Sequence, residues 1–401
     1  MGEAAHPMRG ALDGVRVVDF TQMMLGPWAT QFLGDMGADI VKIERPGSGE
    51  WERGLAAMGQ LLGGDSPFFL AMNRNKRSLT LDLKAPEAQE IVRELVRRGD
   101  VVVENFRPGV LDRLGLGYDA LRAINPRIIY AAGYGYGSSG PYLRRPGQDL
   151  LIQAMSGYAA QNGRAGEAPV PSACSVMDAS TALMLALSIT TALYCRERTG
   201  IGQRVEVSLF NTALAIQCQE LLAHFNLPVQ GRRSEAGIGA PWLAAPFGIY
   251  AASDGYVAIS INPLTEIAEA LGLPELHRYA DEASAYRERD TVRRILDAAV
   301  AARRADDVVA ALAARDLWCA RVQDFDAVLR DPQVAHNGMI QEIEHPTAGR
   351  MKVIGIPVSF SETPGAIRLV PPRVGEHTDA VLEELGYDPA RRAELRARAI
   401  I

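Results

Sequence analysis

At 401 residues the chain is too long for one ordinary core, and 48% apolar with 22% charged residues is the make-up of a folded globular protein, which excludes a disordered chain. The formal charge of −6, with Lys and Arg scattered and in no run longer than two, excludes a basic face for nucleic acid. Cys174, Cys195, Cys218 and Cys319 lie far apart with no C-x-x-C, and the six histidines are equally dispersed, so neither a disulfide framework nor a metal site is expected.

The opening MGEAAHPMRG lacks the apolar core of a leader peptide, and His6 stands where a myristoylation signal needs Ser or Thr, so a cytoplasmic protein without membrane association is expected. Short β-branched runs then alternate with helical ones. Residues 15–20 (VRVVDF) read as a buried strand, 27–36 as a helix with Pro27 in its first turn, and 39–44 (DIVKIE) as a second strand. A helix at 88–98, a strand at 101–104, a short helical pair up to 125 and a strand at 127–132 continue the series. Such alternation builds an open parallel sheet with right-handed crossovers, a doubly wound α/β domain whose ligands lie beyond the carboxyl ends of the strands. The loop 21–26, the turn 45–49 and Asn105-Phe106-Arg107 fall there.

Gly135, Gly137 and Gly140 match G-x-G-x-x-G, but Pro141 stands where a phosphate-binding helix would be running, and no acidic residue closes a second strand at the required distance. These glycines are read as places of close backbone approach, not as a nicotinamide site.

Residues 171–200 (PSACSVMDASTALMLALSITTALYCRERTG) place one acidic residue, Asp178, before a long apolar run. Asp178 reads as the N-cap of a buried helix over roughly 179–197 that ends in water at Arg196, Glu197 and Arg198; the apolar run 182–195 is shorter than the ~20 residues a bilayer needs. Capping is one role open to Asp178 and nucleophilic catalysis the other. A helix N-terminus keeps a carboxylate ionised, and free N–H groups there suit an oxyanion. A strand at 203–210 and a helix at 211–225 follow, then a Gly-, Pro- and Arg-rich boundary at 228–244. Beyond it come a hairpin over 246–261 turning at Ser253-Asp254, helices near 263–272, 289–303 and 305–315, two strands around 346–349, an extended stretch 361–373 and a final helix at 377–385.

Taken in order, seven stretches resemble the class III CoA-transferase family, the group of formyl-CoA transferase and carnitine CoA-transferase. They are LDGVRVVDFTQMMLGPWATQFLGDMGADIVKIERPGSGE near the start, NRNKRSLTLDLK at 73–84, VVVENFRPGVLDRLGLGYDAL at 101–121, PGQDLLIQAMSG at 146–157, MDASTAL at 177–183, RERTGIGQRVEVSLF at 196–210 and GEHTDAVLEELGY at 375–387. The resemblance implies an interlocked homodimer of open rings. In each chain both ends build a Rossmann-like large domain, here 1–226 with 331–401, around a linker and smaller α+β domain at 227–330.

The resemblance also implies covalent catalysis. Asp178 takes the position of the family's catalytic aspartate, which attacks a thioester to give a mixed anhydride and then an aspartyl-CoA thioester, and Asp149 matches an acidic position near it. No permanently bound cofactor is implied; the CoA thioester is a substrate, with a carboxylic acid as acceptor. Positions implied to contact CoA are Met24, Leu25, Arg45, Leu81, Asp82, Leu83, Lys84, Asn105, Phe106, Arg107 and Arg113, the arginines suiting phosphate through their bidentate fork. Two departures bear on substrate and water exclusion: Met24 replaces a Gln, and a Gly-rich loop has no counterpart around 232–245, where Gly237, Gly239 and Trp242 stand. The related α-methylacyl-CoA racemases carry a histidine where Gln148 stands here; an amide cannot take a proton, so transfer is expected over racemisation.

Overall fold

The computed structural model describes residues 10–401; the opening stretch with His6, on which the leader and lipidation expectations rest, lies outside the described residues. The chain divides into two units, one of residues 10–152, 175–212 and 332–401, the other of 153–174 and 213–331.

The larger unit is mixed α/β around a six-stranded sheet in which every pairing is parallel, with β1 (Arg16–Asp19), β2 (Asp39–Glu44), β3 (Lys76–Thr80), β4 (Val101–Glu104), β5 (Ile129–Tyr134) and β6 (Arg204–Ser208) in the order 3-2-1-4-5-6. A sheet buried on both faces needs strands without alternation: β4 is VVVE and all four residues are buried. The helices that cross between strands include α1 (Leu25–Asp35), α2 (Pro67–Met72), α3 (Pro86–Arg98), α4 (Val110–Arg113) and α5 (Tyr118–Ile124). Pro86 at the first turn of α3, and buried Ala88, Ile91, Val92 and Val96 at helical spacing, explain both its start and its inner face.

Two helices lie between β5 and β6: α6 (Asp149–Met155) and α7 (Val176–Thr199). The last segment closes the same unit. The hairpin of β10 (Ile340–His345) and β11 (Gly349–Ile354) turns at 346–348, His377 N–H donates to Ser78 O at 2.9 Å, and Ile400 and Ile401 enter the core beside Val381, Leu382 and Leu395. The helix Thr378–Glu384 is not the last; Pro389–Ala397 follows, capped by Asp388. The smaller unit packs an antiparallel sheet of β7 (Gly248–Ala252), β8 (Gly255–Ile259) and β9 (Cys319–Arg321) against helices, with Tyr250, Val257, Ile267, Leu296 and Leu312 in its core. The hairpin turns at Ser253-Asp254 as read from the sequence.

Three readings of the 171–200 stretch are corrected. The helix begins at Val176 with Ser175 as its N-cap, so Asp178 is its third residue and not the cap. It is not buried all round: Leu183, Leu187 and Tyr194 are 52%, 57% and 65% exposed, because only its inner side packs on β5, β6 and α1. At its far end Arg196 is buried and paired to Asp100 at 2.8 Å, and Gly200 in the left-handed region, φ 75°, ends the helix. Its 24 residues make α7 long and apolar enough to cross a membrane by length and composition, although the apolar run alone is not.

Candidate active site

In a parallel sheet all carboxyl ends share one edge, and a crossover helix runs antiparallel to the strands. The first turn of α7 therefore starts at the edge where the loops after β1, β2, β3 and β4 emerge. The strand order reverses between β1 and β4, which leaves a crevice there.

The loop 21–26 is fixed on that crevice by Asn105. The Asn105 side-chain amide donates to Gln22 O at 2.7 Å, and its Oδ1 accepts from Gln22 N–H at 2.8 Å. Below the loop lies a buried ionic cluster. Lys42 Nζ donates to Thr21 O at 2.7 Å and pairs with Glu50 at 3.2 Å; Lys76 pairs with Asp19 at 3.3 Å; Arg53 pairs with Glu44 at 2.8 Å. Asp19 also accepts from Thr21 and Thr30, which together with the lysines hold its carboxyl below the usual range against burial, the largest and opposing influence. The sequence displays Lys42 within DIVKIE as a charge in a buried strand, but its partners come from other elements. Gly26, the second residue of α1, lies so close to Thr21 that an added Cβ would be 2.3 Å from the Thr21 side chain.

Asp178 is half-buried, and burial first and then the Asp149 charge push its carboxyl up to about 7. Asp149 is itself buried, and its Oδ1 accepts from Met177 N–H at 2.7 Å and Asp178 N–H at 3.1 Å. Asp149 thus supplies the cap of α7 from another helix, not of its own helix. The expectation that the helix N-terminus lowers the Asp178 pKa and leaves these N–H groups free is overturned, since Asp149 takes them. Carboxyls side by side, one held by two N–H groups and one pushed toward neutrality, suit a nucleophile that is not permanently charged.

The positions implied to contact CoA follow the carboxyl ends of β1, β2, β3 and β4, in different states. Met24 is the N-cap of α1 without a side-chain bond, and Leu25 is buried. Arg45, Lys84, Arg107 and Arg113 are exposed cations following β2, β3 and β4. Leu81 is in the core, with Leu83 packed against it; Leu81 N–H donates to Glu44 O and Asp82 N–H to Ile400 O, both at 2.8 Å, so those two donors are already used. Phe106 N–H donates to Glu104 at 2.8 Å, and Glu104, also bound by Tyr134 OH at 2.6 Å, is driven by burial to about 7. Gly135 and Gly147 approach so closely that a Cβ on Gly135 would lie 2.6 Å from Gly147 Cα, the close backbone contact expected of that glycine. Trp242 belongs to the smaller unit, where it lines a cavity of about 620 Å³ with Gln217, His224 and Tyr286. Among the described residues no group of three His, Cys, Asp or Glu side chains is placed to hold a metal.

Glu52, in the short turn Trp51–Gly54 after β2, is not legible as a buried group in the sequence. It is 2% exposed, and one of its carboxyl oxygens has no hydrogen-bond partner. No local pattern marks it, because WERG reads as a solvated turn.

Residues 12–378 match the family described as CoA-transferase family III. The chain is 33% identical to a formyl-CoA:oxalate CoA-transferase of Rhodopseudomonas palustris, over 97% of this chain and 96% of the relative. It is 32% identical to a succinyl-CoA:glutarate CoA-transferase of Mus musculus, over 97% and 90%. Its fold is similar to the crystal structure of a CAIB/BAIF family protein from Brucella suis, with a TM-score of 0.81 and 30% identity over 94% of this chain and 100% of that one.

Proposed function

The chain belongs to CoA-transferase family III and is a CoA-transferase, and from that premise we propose that it moves CoA from an acyl-CoA to a carboxylic acid through covalent intermediates on Asp178. The observation that carries the reading is the pair Asp149 and Asp178 at the start of α7: Asp149 consumes the helix N–H groups, and Asp178 is left as a carboxyl poised near neutral pH. Ionised Asp178 attacks the thioester carbonyl, and the C–S bond breaks to give a mixed anhydride and CoA thiolate. The thiolate attacks the aspartyl carbonyl and releases the donor acid as a carboxylate. An acceptor carboxylate then reverses both steps and leaves as the new thioester. Thioester and anhydride are both activated acyl groups, so the protein's main task is orientation and exclusion of water.

Arg45, Lys84, Arg107 and Arg113 are assigned to the CoA phosphates, and Met24, Leu25, Leu81, Asp82, Leu83 and Phe106 to the walls along it, with Asn105 holding the loop. The exposure of the four cations at the carboxyl edge supports this. The working unit is an interlocked homodimer whose large domain is completed by the return segment; the apolar outer stripe of α7 supports it, since such a stripe calls for cover. Gln148 is exposed and is no base, so racemisation is not favoured.

The test is formation of a new thioester from succinyl-CoA or formyl-CoA with glutarate or oxalate, the compounds named for the relatives. Transfer that disappears in Asp178→Ala supports the reading. Transfer that survives it removes the aspartyl intermediates.

A further inference from the structure

Glu104 ends β4 in a place where a carboxyl is costly. The register sets it opposite Ala132, with Tyr130 and Tyr134 two residues to either side, so it shares the face that carries Val102 and those three residues into the core. It is 3% exposed. Arg204, whose charge reaches it, pairs instead with Glu206 at 3.1 Å, and among the described residues no cation forms an ion pair with Glu104. Hydrogen bonds take the place of one. Its Oε1 accepts from Tyr134 OH at 2.6 Å and more weakly from Tyr130 OH at 3.4 Å, and its Oε2 accepts from Phe106 N–H at 2.8 Å. A role in packing alone does not call for an acid, since an apolar side chain would fill the same space at lower cost.

What the carboxylate does that an apolar residue cannot is hold the backbone of the turn after β4. That turn has two tasks. Asn105 exchanges two hydrogen bonds with Gln22 of the loop 21–26, and Arg107 is an exposed cation assigned above to the CoA phosphates. We infer that Glu104 is a positioning residue for CoA: anchored by the β5 phenols, its carboxylate fixes Phe106 N–H, and with it the turn that presents Arg107 to the phosphates and Asn105 to the loop. This rests on the CoA reading of that turn. The partners also decide which form of Glu104 works. An N–H can only donate, so a proton on Oε2 breaks the Phe106 bond, while a proton on Oε1 reverses the Tyr134 bond and leaves Phe106 a weaker, neutral acceptor. The titratable and charged groups that face it are Tyr130 and Tyr134 of β5 and Arg204 of β6; beyond the phenols stand Glu206 of β6, Asp112 of α4 and Tyr118 of α5. Burial, the largest influence, pushes the carboxyl up to about 7, so both forms are reached in ordinary buffers.

The test is calorimetric titration of the full-length protein with CoA, for wild type, Glu104→Gln and Tyr134→Phe, at intervals from about pH 6 to about pH 9, spanning the value at which Glu104 titrates. Titration of the CoA phosphate is common to all three proteins and cancels in their ratios. Glu104→Gln is fixed in a neutral form. It is expected to bind CoA about fivefold more weakly than wild type at about pH 8 and equally at about pH 6. Tyr134→Phe takes away a hydrogen bond that favours the charged form, so its gain in affinity is expected at higher pH than in wild type. A residue needed only for packing would lower affinity by the same factor at every pH. A ratio of Glu104→Gln to wild type that does not change with pH therefore overturns the inference alone, as does Tyr134→Phe with the wild-type profile. Wild type that binds no CoA overturns the CoA reading of the turn and the inference with it. If Glu104→Gln does not fold, the Tyr134→Phe profile decides.

Discussion

Asp178 and Asp149 show how one charge sets the chemistry of another. Asp178 titrates near 7 because burial and Asp149 disfavour its charged form. The folded protein then holds a proton there that the unfolded chain, near 3.8, has lost, so ionisation of Asp178 costs stability as pH rises from about 4 to 7. Asp178→Asn should therefore gain about 1–2 kcal/mol over wild type at pH 8, after discounting for its partial exposure, and nothing near pH 4; urea unfolding at both pH values measures this. The donor step needs the ionised form, so its rate should climb through about pH 7. Asp149→Asn keeps an acceptor for the α7 N–H groups and removes the charge, and stopped-flow pH profiles should show that climb moved to lower pH. The sequence made Asp178 legible through MDASTAL and Asp149 through PGQDLLIQ, but not their contact, since two carboxyls 29 residues apart say nothing of which takes the helix N–H groups.

At the level of elements, the loop 21–26 matters more than its residue types suggest. Asn105 holds it from β4 and Lys42 from β2, so its shape is imposed by neighbouring strands. Asn105→Ala should raise the KM for acyl-CoA about tenfold with little change in thermal stability, through loss of two hydrogen bonds to a part-buried loop; steady-state kinetics and a melting curve check it. Lys42→Met strands Glu50 in the interior and should cost about 3 kcal/mol or more, read by denaturant unfolding. Five of the six parallel strands of the large unit were legible because each is a short β-branched run. The edge strand β3, KRSLT, was not recognised as a strand, since Lys76 and Arg77 break its apolar character and are matched only in the fold, by Asp19 of β1, Asp39 of β2 and Glu384. The end of α7 was misplaced because Arg196 reads as a solvent charge until Asp100 is seen beside it.

At the scale of the whole molecule, the outward stripe of Leu183, Leu187 and Tyr194 on α7 is a face that a single chain leaves wet. The proposed dimer should sediment at twice the 43.4 kDa chain mass, and Leu187→Glu should lower its yield or stability more than a surface change would; a monomer of unchanged stability would contradict it. Architecture of this kind could not come from periodicity, which reports one chain's elements and not their partner; the seven ordered motifs carried it instead. The central claim is the covalent role of Asp178, and the most direct measurement is peptide mass spectrometry after mixing the protein with acyl-CoAs and hydroxylamine, with Asp178→Ala alongside. The account predicts a hydroxamate on Asp178, formed with a subset of acyl-CoAs and absent from the variant. Bound acyl-CoA turned over to a new thioester with no mark on Asp178 would contradict it.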